Sequence, residues 1–286
     1  MNTVIAEMLK KYNTEGPVDK KNAVKEVMQE IVLCGMSRAG FFQKGAFYGG
    51  TALRIFYGLD RYSEDLDFSL MAPDDKFALS DYFPTLKKEV AAYGLNVDIT
   101  EKEKTRETAI QSAFLKGNTK EHMLLFYASD SAVSGIAGNE AIKIKFEVDT
   151  NPPAGATFER KYRLLPAPYE AVLYDMPSLF AGKAHALICR AWKNRVKGRD
   201  LYDYIFYLSR GAELNTEHLK ARLVQSDAWK AEDSFTIDDA KKLLCARFDD
   251  VDYTLAKEDV SHFIKDAASL NLWSADFFKQ ITENLK

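Results

Sequence analysis

Residues 48–68, YGGTALRIFYGLDRYSEDLDF, constrain the fold more tightly than any other stretch of the chain. Asp65 and Asp67 are spaced i, i+2, so in an extended strand they share one face and leave Leu66 and Phe68 to the other. Two carboxylates side by side repel, and a divalent cation relieves that repulsion. Just upstream, Gly49-Gly50 can take backbone angles closed to other residues, which lets the chain approach a phosphate closely and offer it N–H groups. An Asp-x-Asp pair alone is commonly a solvated strand end, and Gly-Gly alone a turn. Together they describe a site for magnesium, or manganese, and a nucleoside triphosphate.

Apolar periodicity predicts how the surrounding chain is organised. Val24, Val27, Met28 and Ile31 recur at i, i+3, i+4, i+7, so residues 19–34 read as an amphipathic helix with Gly35 as its stop. Residues 46–48 form a short strand, Thr51 caps a brief helix to residue 57, and residues 65–70 form the next strand. A helix over 77–93, ended by Gly94, precedes strands at 95–99, 112–115 and 123–127. Residues 141–149, AIKIKFEVD, alternate cleanly: Ile142, Ile144, Phe146 and Val148 point one way, Lys143, Lys145, Glu147 and Asp149 the other. That polar face reads first as a solvated surface. After Pro168 the pattern is helical throughout, with segments at 169–174, 178–194, 199–209, 216–226, 236–246 and 257–267 and a last one containing Phe277 and Phe278. A boundary near residue 165 therefore separates residues 1–165 from a helical domain at 166–286.

Composition excludes several classes. Hydrophobic residues make up 47% and charged residues 28%, the balance of a globular protein with a sizeable core. No run approaches the ~18 apolar residues of a membrane span, and the N-terminus lacks the order of a signal peptide, so a cytoplasmic protein is expected. Cys34, Cys189 and Cys245 are odd in number and far apart and read as core thiols; the four histidines form no ligand cluster, and His185 reads as a helix residue near the site. The net charge of −3 conceals one basic segment. Residues 176–199 hold no Asp or Glu but contain Lys183, Arg190, Lys193, Arg195, Lys197 and Arg199.

Lys183, Leu187 and Arg190 stand at i, i+4, i+7, which places both cations on one face of a helix, and Arg199-Asp200-Leu201-Tyr202-Asp203 follows. On these two motifs the chain resembles the AbiEii/AbiGii toxin family, within the DNA polymerase β-like nucleotidyltransferases. The first motif is Gly49-Gly50-Thr51-Ala52-Leu53-Arg54 with Arg61, Ser63, Asp65 and Asp67; the second is Lys183 with Arg199-Asp200. The likeness covers roughly residues 20–210, and nothing in 211–286 carries a motif. The wider superfamily usually has Gly-Ser at the turn, so a hydroxyl contact there would come from Thr51.

The resemblance implies an α+β fold: a polymerase β-like core with a small mixed sheet, joined to a helical C-terminal domain. It implies catalytic and metal-binding roles for Asp65, Asp67 and a third acid, Glu147, with Asp149 as the fallback. It implies that Lys183 and Asp200 are needed for activity. Phosphate contacts would come from the amides at Gly49 and Gly50, from Ser63, and from Arg190 beside Lys183. Asp200 either orients Lys183 or binds the nucleotide sugar; Arg54 and Arg61 pack or pair near the turn, or contact substrate. The expected activity is magnesium-dependent transfer of a nucleotide from an NTP to RNA, with tRNA the leading acceptor. The protein would be the toxin of a type IV or phage-defence pair, with a nearby-encoded antitoxin that forms no tight stoichiometric complex. Trp192, Tyr202 and Tyr204 are either base-stacking platforms or core aromatics. The alternatives are nucleotidyl transfer to a small molecule or protein, and a non-catalytic nucleotide- or partner-binding protein.

Overall fold

The computed structural model describes residues 3–12, 14–101, 119–128, 142–192, 196–264 and 266–286. The strands described are β1 (Gly45–Tyr48), β2 (Leu66–Leu70), β3 (Leu95–Glu101), β4 (Thr119–Ala128), β5 (Ile142–Asp149), β6 (Phe158–Arg163) and β7 (Tyr169–Tyr174). They form one mixed sheet in the order β3-β4-β5-β2-β1-β7-β6. β2 runs parallel to β5 and β1 parallel to β7, while the remaining neighbours are antiparallel. The helices described are α1 (Thr3–Leu9), α2 (Pro17–Arg38), α3 (Gly49–Tyr57), α4 (Phe83–Ala92), α5 (Met176–Cys189), α6 (Gly198–Ser209), α7 (Thr216–Gln225), α8 (Ile237–Asp249), α9 (Tyr253–Ser261) and α10 (Ala275–Thr282). The fold is mixed α/β, as the motifs implied, with a sheet larger than expected.

β2 and β5 explain why one side of the sheet is a core and the other a site. Phe68 and Phe146 stack at 4.5 Å within the buried cluster. Their neighbours in register, Asp67 opposite Glu147 and Ser69 opposite Asp149, project from the other side. The alternation read along residues 141–149 is therefore the alternation seen, with Ile142, Ile144, Phe146 and Val148 all buried.

Three local expectations are revised. Gly35 is not a stop: α2 continues to Arg38, and a Cβ at Gly35 would lie 2.8 Å from Leu86 Cδ1 and 3.3 Å from Glu89 Cβ, so the glycine lets α4 pack against α2. The helix expected over 77–93 begins only at Phe83, because Pro84 in the first turn has no N–H to give a preceding turn. Residues 169–174 are strand β7, not helix. β7 lies between β1 and β6, and a strand buried on both faces loses its alternation and cannot be told from a buried helix by periodicity. The expected boundary near 165 falls in the β6–β7 connection, and the strand expected at 112–115 lies outside the described residues.

After β7, side-chain caps set the helix starts. Asp175 accepts from Ser178 N at the start of α5, Asn215 from His218 N at α7, and Thr236 with Asp239 forms a capping box at α8. α6 starts differently. A Cβ on Gly198 would fall 1.8 Å from the Ala256 carbonyl oxygen, so α6 begins hard against the backbone of α9. Gly198→Ala should therefore cost about 1–3 kcal/mol and lower the melting temperature by several degrees. An unchanged melt would mean that this contact is not close in solution.

Candidate active site

β1 delivers the chain to a sharp turn. Gly49 has φ +81°, in the left-handed region, and its missing Cβ leaves room for Asp67, whose Oδ2 would otherwise be 2.5 Å away. Gly50 is pressed as closely: a Cβ there would meet Arg61 Nη2 at 2.8 Å and Ser63 Oγ at 3.1 Å. α3 starts at this turn with no side chain capping its first amides, so they remain available to an anion. The expected cap, Thr51, is instead fully buried, and its hydroxyl bonds Ser63 Oγ (2.8 Å) and the Asp65 carbonyl. Thr51 thus ties the turn to the start of β2, and its hydroxyl is spent inside the protein.

The acids gather at the start of β2. Asp67 and Glu147 are partners in register on adjacent parallel strands, and Asp65 stands just before β2. Burial, with Glu147 and Asp65 beside it, pushes the Asp67 carboxyl well above the usual carboxylate range. Burial also raises Asp65 and Glu147. Lys145, on the same face, bonds Glu147 Oε1 at 2.6 Å and adds the nearest positive charge. Among the described residues no three His, Cys, Asp or Glu side chains already stand as a ligand set. The donors nevertheless fit a hard divalent ion: they are all carboxylate oxygens, they repel one another, and magnesium commonly takes only one or two carboxylates and completes its shell with water and phosphate. Asp149, raised by burial, lies two residues further along β5, away from Asp67.

The second motif forms a chain of buried charges. Lys183 on α5 reaches Asp200 Oδ1 at 2.6 Å and Asp203 Oδ2 at 2.8 Å, both on α6. Arg190 donates to the other Asp200 oxygen, and Arg61 grips Asp203 through two bonds of 2.6 Å. Arg190 is not on the α5 face expected of it; it follows the last helical residue, with extended backbone, and still reaches Asp200. Burial opposes ionisation of Asp200 and Asp203, but Lys183 with Arg190, and Arg61 with Lys183, hold them below the usual range. Of the two roles left open for Asp200, the charge-assisted contact with Lys183 is the arrangement seen. Arg54 likewise resolves to an ion pair, with Glu26 at 2.9 Å.

Residues outside the motifs complete the site. From α7, where the sequence offered no motif, Arg222 donates to His218 Nε2 (2.9 Å) and packs over Gly182, beside Lys183. His218 Nδ1 is 2.8 Å from the Ala154 carbonyl, so His218 is neutral, with Nδ1–H donating and Nε2 accepting. The charge of Arg222 acts on Asp149, Tyr48 and Tyr174. Its only sequence signal was the i, i+4 spacing from His218. Tyr204 is fully buried against Phe248, and Trp192 lies under Arg247 at 4.2 Å, so both serve packing; Tyr202 bonds Asp60 at 2.7 Å. Of the three cysteines expected as core thiols, Cys34 is buried while Cys189 and Cys245 are half-buried, and His185 lies on α5, as expected of a helix residue.

The sequence pattern of the family described as "Nucleotidyl transferase AbiEii toxin, Type IV TA system" matches residues 31–280. The chain belongs to that AbiEii family. No curated protein matches it. Its fold is similar to the crystal structure of JHP933 from Helicobacter pylori, at 17% identity, with a TM-score of 0.54 and 92% of this chain and 91% of that one covered. It is also similar to MenT4, a nucleotidyltransferase toxin from Mycobacterium tuberculosis, at 15% identity, TM-score 0.53, and 99% and 88% coverage. The family match runs well past residue 210, so the C-terminal helices that carry Arg222 belong to the family unit. As an AbiEii member the chain is a nucleotidyltransferase and the toxin half of a pair. No helix among the described residues is long and apolar enough to cross a membrane.

This charge arrangement gives a signed pH dependence. Burial pushes His185 and His218 down to about 3, so the unfolded chain takes up their protons first and stability falls as the pH drops below the ordinary value of 6.5. Asp200 and Asp203 are depressed, so their contribution is complete above about pH 4 and is lost below it. Asp203→Asn should cost about 3–5 kcal/mol at neutral pH, because Arg61 is left buried without its carboxylate, and should flatten only the part of the melting profile below pH 4. Melting temperatures of both proteins across pH 3–8 check this; parallel profiles would refute the assignment.

Proposed function

We propose that this AbiEii toxin carries out magnesium-dependent transfer of a nucleotide from an NTP to an RNA acceptor, tRNA foremost. The observation that carries the reading is the Asp67–Glu147 pair, with Asp65, set against the uncapped start of α3 and facing a cationic network. Asp65, Asp67 and Glu147 would hold the metal, which supplies positive charge to the triphosphate and to the transferring phosphoryl group. The amides at Gly49 and Gly50 bind phosphate oxygens, and Ser63, bonded to Thr51, adds a hydroxyl at the same turn. The acceptor hydroxyl attacks the α-phosphorus, its proton passes to a carboxylate of the site, and the bond to the bridging oxygen breaks as pyrophosphate leaves. Asp200 and Asp203 hold Lys183 and Arg190 in place and so fix α5 against α6.

The RNA acceptor rests on the acid-free segment at 176–199. Among the described cations of the segment, Lys183 and Arg190 are engaged with Asp200, and Arg199 stacks over Phe263 at 4.2 Å, which leaves Lys197 for an acceptor or a triphosphate. Lys193 and Arg195 lie outside the described residues.

Two experiments test the reading. Asp67→Asn removes charge but little volume and should abolish most nucleotidyl transfer to total RNA, assayed with each labelled NTP and magnesium, while the melting temperature holds. Full activity in that variant would remove Asp67 from the metal site. Acceptor binding should fall steeply with salt, and replacing Lys193 and Arg195 with Gln should reduce the log–log slope by about one to two units, near 0.7 per single-strand phosphate. A shallow slope unaffected by the substitutions would favour a small-molecule acceptor.

A further inference from the structure

Lys183 is the lysine the family motif singles out, yet its ammonium is already spent between Asp200 at 2.6 Å and Asp203 at 2.8 Å. Both carboxylates are buried and ionised, and a triphosphate would have to pull Lys183 away from them and leave buried negative charge behind. Arg190 is committed to Asp200 in the same way. The two cations closest to the motif are thus structural members of a neutralised chain.

Lys197 is placed differently. It occupies the residue before α6, with its carbonyl accepting from Asp200 N (2.9 Å) and its successor Gly198 wedged against Ala256. Two rigid contacts therefore set the direction in which its side chain leaves the backbone. Arg199, two residues on, reaches Glu64 at 3.8 Å, and Asp203 on α6 holds Arg61 against Gly50, so this end of α6 adjoins the glycine turn and the start of β2; the charge of Lys197 is felt there by Asp65, and by Asp200. Among the described residues, however, it makes no ion pair like those of Lys183 and Arg190. Burial, and the neighbouring Arg190, Arg199 and Lys183, act against its charge, and the carboxylate that opposes them, Asp200, is already bonded to Lys183 and Arg190.

We propose that Lys197 is the triphosphate-binding cation of this enzyme, its ammonium donating to phosphate oxygens next to Asp65, and that Lys183 is a positioning residue that holds α5 and α6 together. The assignment deepens the nucleotidyl-transfer reading and rests on it. It also explains why α6 starts on a glycine, since any larger residue at 198 would displace both α6 and the lysine before it. The α5 periodicity gave no hint of this, because α5 ends at Cys189 and Lys197 lies beyond it.

The test compares Lys197→Met, Lys197→Arg, Lys183→Met and Lys161→Met, the last a control for loss of one charge at the distant β6 edge. Binding of inorganic tripolyphosphate, measured by calorimetry without metal, should weaken about 10- to 100-fold in Lys197→Met, the range of one lost charge-assisted hydrogen bond. It should recover substantially in Lys197→Arg and stay unchanged in Lys161→Met. In transfer assays Lys197→Met should raise KM for the NTP, with its melting temperature at the wild-type value, whereas Lys183→Met should lower the melting temperature. Unchanged tripolyphosphate affinity in Lys197→Met, while wild-type protein transfers nucleotide, would overturn the Lys197 assignment alone. Wild-type protein that neither binds tripolyphosphate nor transfers nucleotide would overturn the nucleotidyl-transfer reading and Lys197 with it.

Discussion

The fully buried Asp203 carboxylate is the point at which the two sequence motifs become one structure. It accepts two bonds from Arg61, in the loop after α3, and one from Lys183 on α5. Asp200, one turn earlier on α6, continues the chain to Arg190. Arg61 also fills the space that a side chain at Gly50 would need, so the position of the glycine turn depends on a carboxylate on α6, far along the sequence. Buried charges are costly unless they are fully paired, and each member here has its partner. Removing any one member leaves another stranded, which makes the network a register device between the sheet and the C-terminal helices.

That dependence bears on how much could be read from sequence. Asp65, Asp67 and the glycine turn were legible because they follow from short-range spacing, i, i+2 on a strand beside Gly-Gly, whereas Glu147, Lys183 and Asp200 were named through the family resemblance. The family match to residues 31–280 bears out the resemblance itself. Arg61–Asp203 was not legible as a pair, because its members are 142 positions apart, one beside each motif, and no local spacing links them. Gly35 was misread for a related reason. A glycine near the end of an apolar period looks like a stop, and only the presence of Leu86 and Glu89 against it reveals close helix packing. β7 was hidden by its own burial, since Tyr169, Ala171, Val172, Leu173 and Tyr174 are all in the core and no polar alternation survives.

The C-terminal helices do more than cover the sheet. His218 and Arg222, four residues apart on α7, join the Ala154 carbonyl after β5 to the polar face above Asp149 and Tyr48. The neutral state of His218 is what makes this possible. A protonated imidazole would have no lone pair for Arg222, and the neighbouring guanidinium is one reason, after burial, that its pKa sits near 3. His185, also pushed to about 3, is neutral beside it. At neutral pH the histidines around this cleft are therefore polar spacers, and the charge of the cleft is set by carboxylates, lysines and arginines alone.

This separation of charge has a consequence for order of binding. On the sheet side, burial raises the pKa of Asp65, Asp67 and Glu147, Glu147 and Asp65 add to the rise at Asp67, and Lys145 relieves the three only in part. On the helix side, Lys197 is crowded by Arg190, Arg199 and Lys183. Each half repels itself, whereas Asp200 and Asp203 already cancel against Lys183, Arg61 and Arg190. A polyanion carrying divalent cations offsets both imbalances at once: its metal ions meet the carboxylates and its phosphates meet the amides of α3 and the free ammonium. A bare cation or a bare polyanion satisfies only one side. The cleft thus favours a metal–triphosphate unit over either component because its two unneutralised surfaces carry opposite sign.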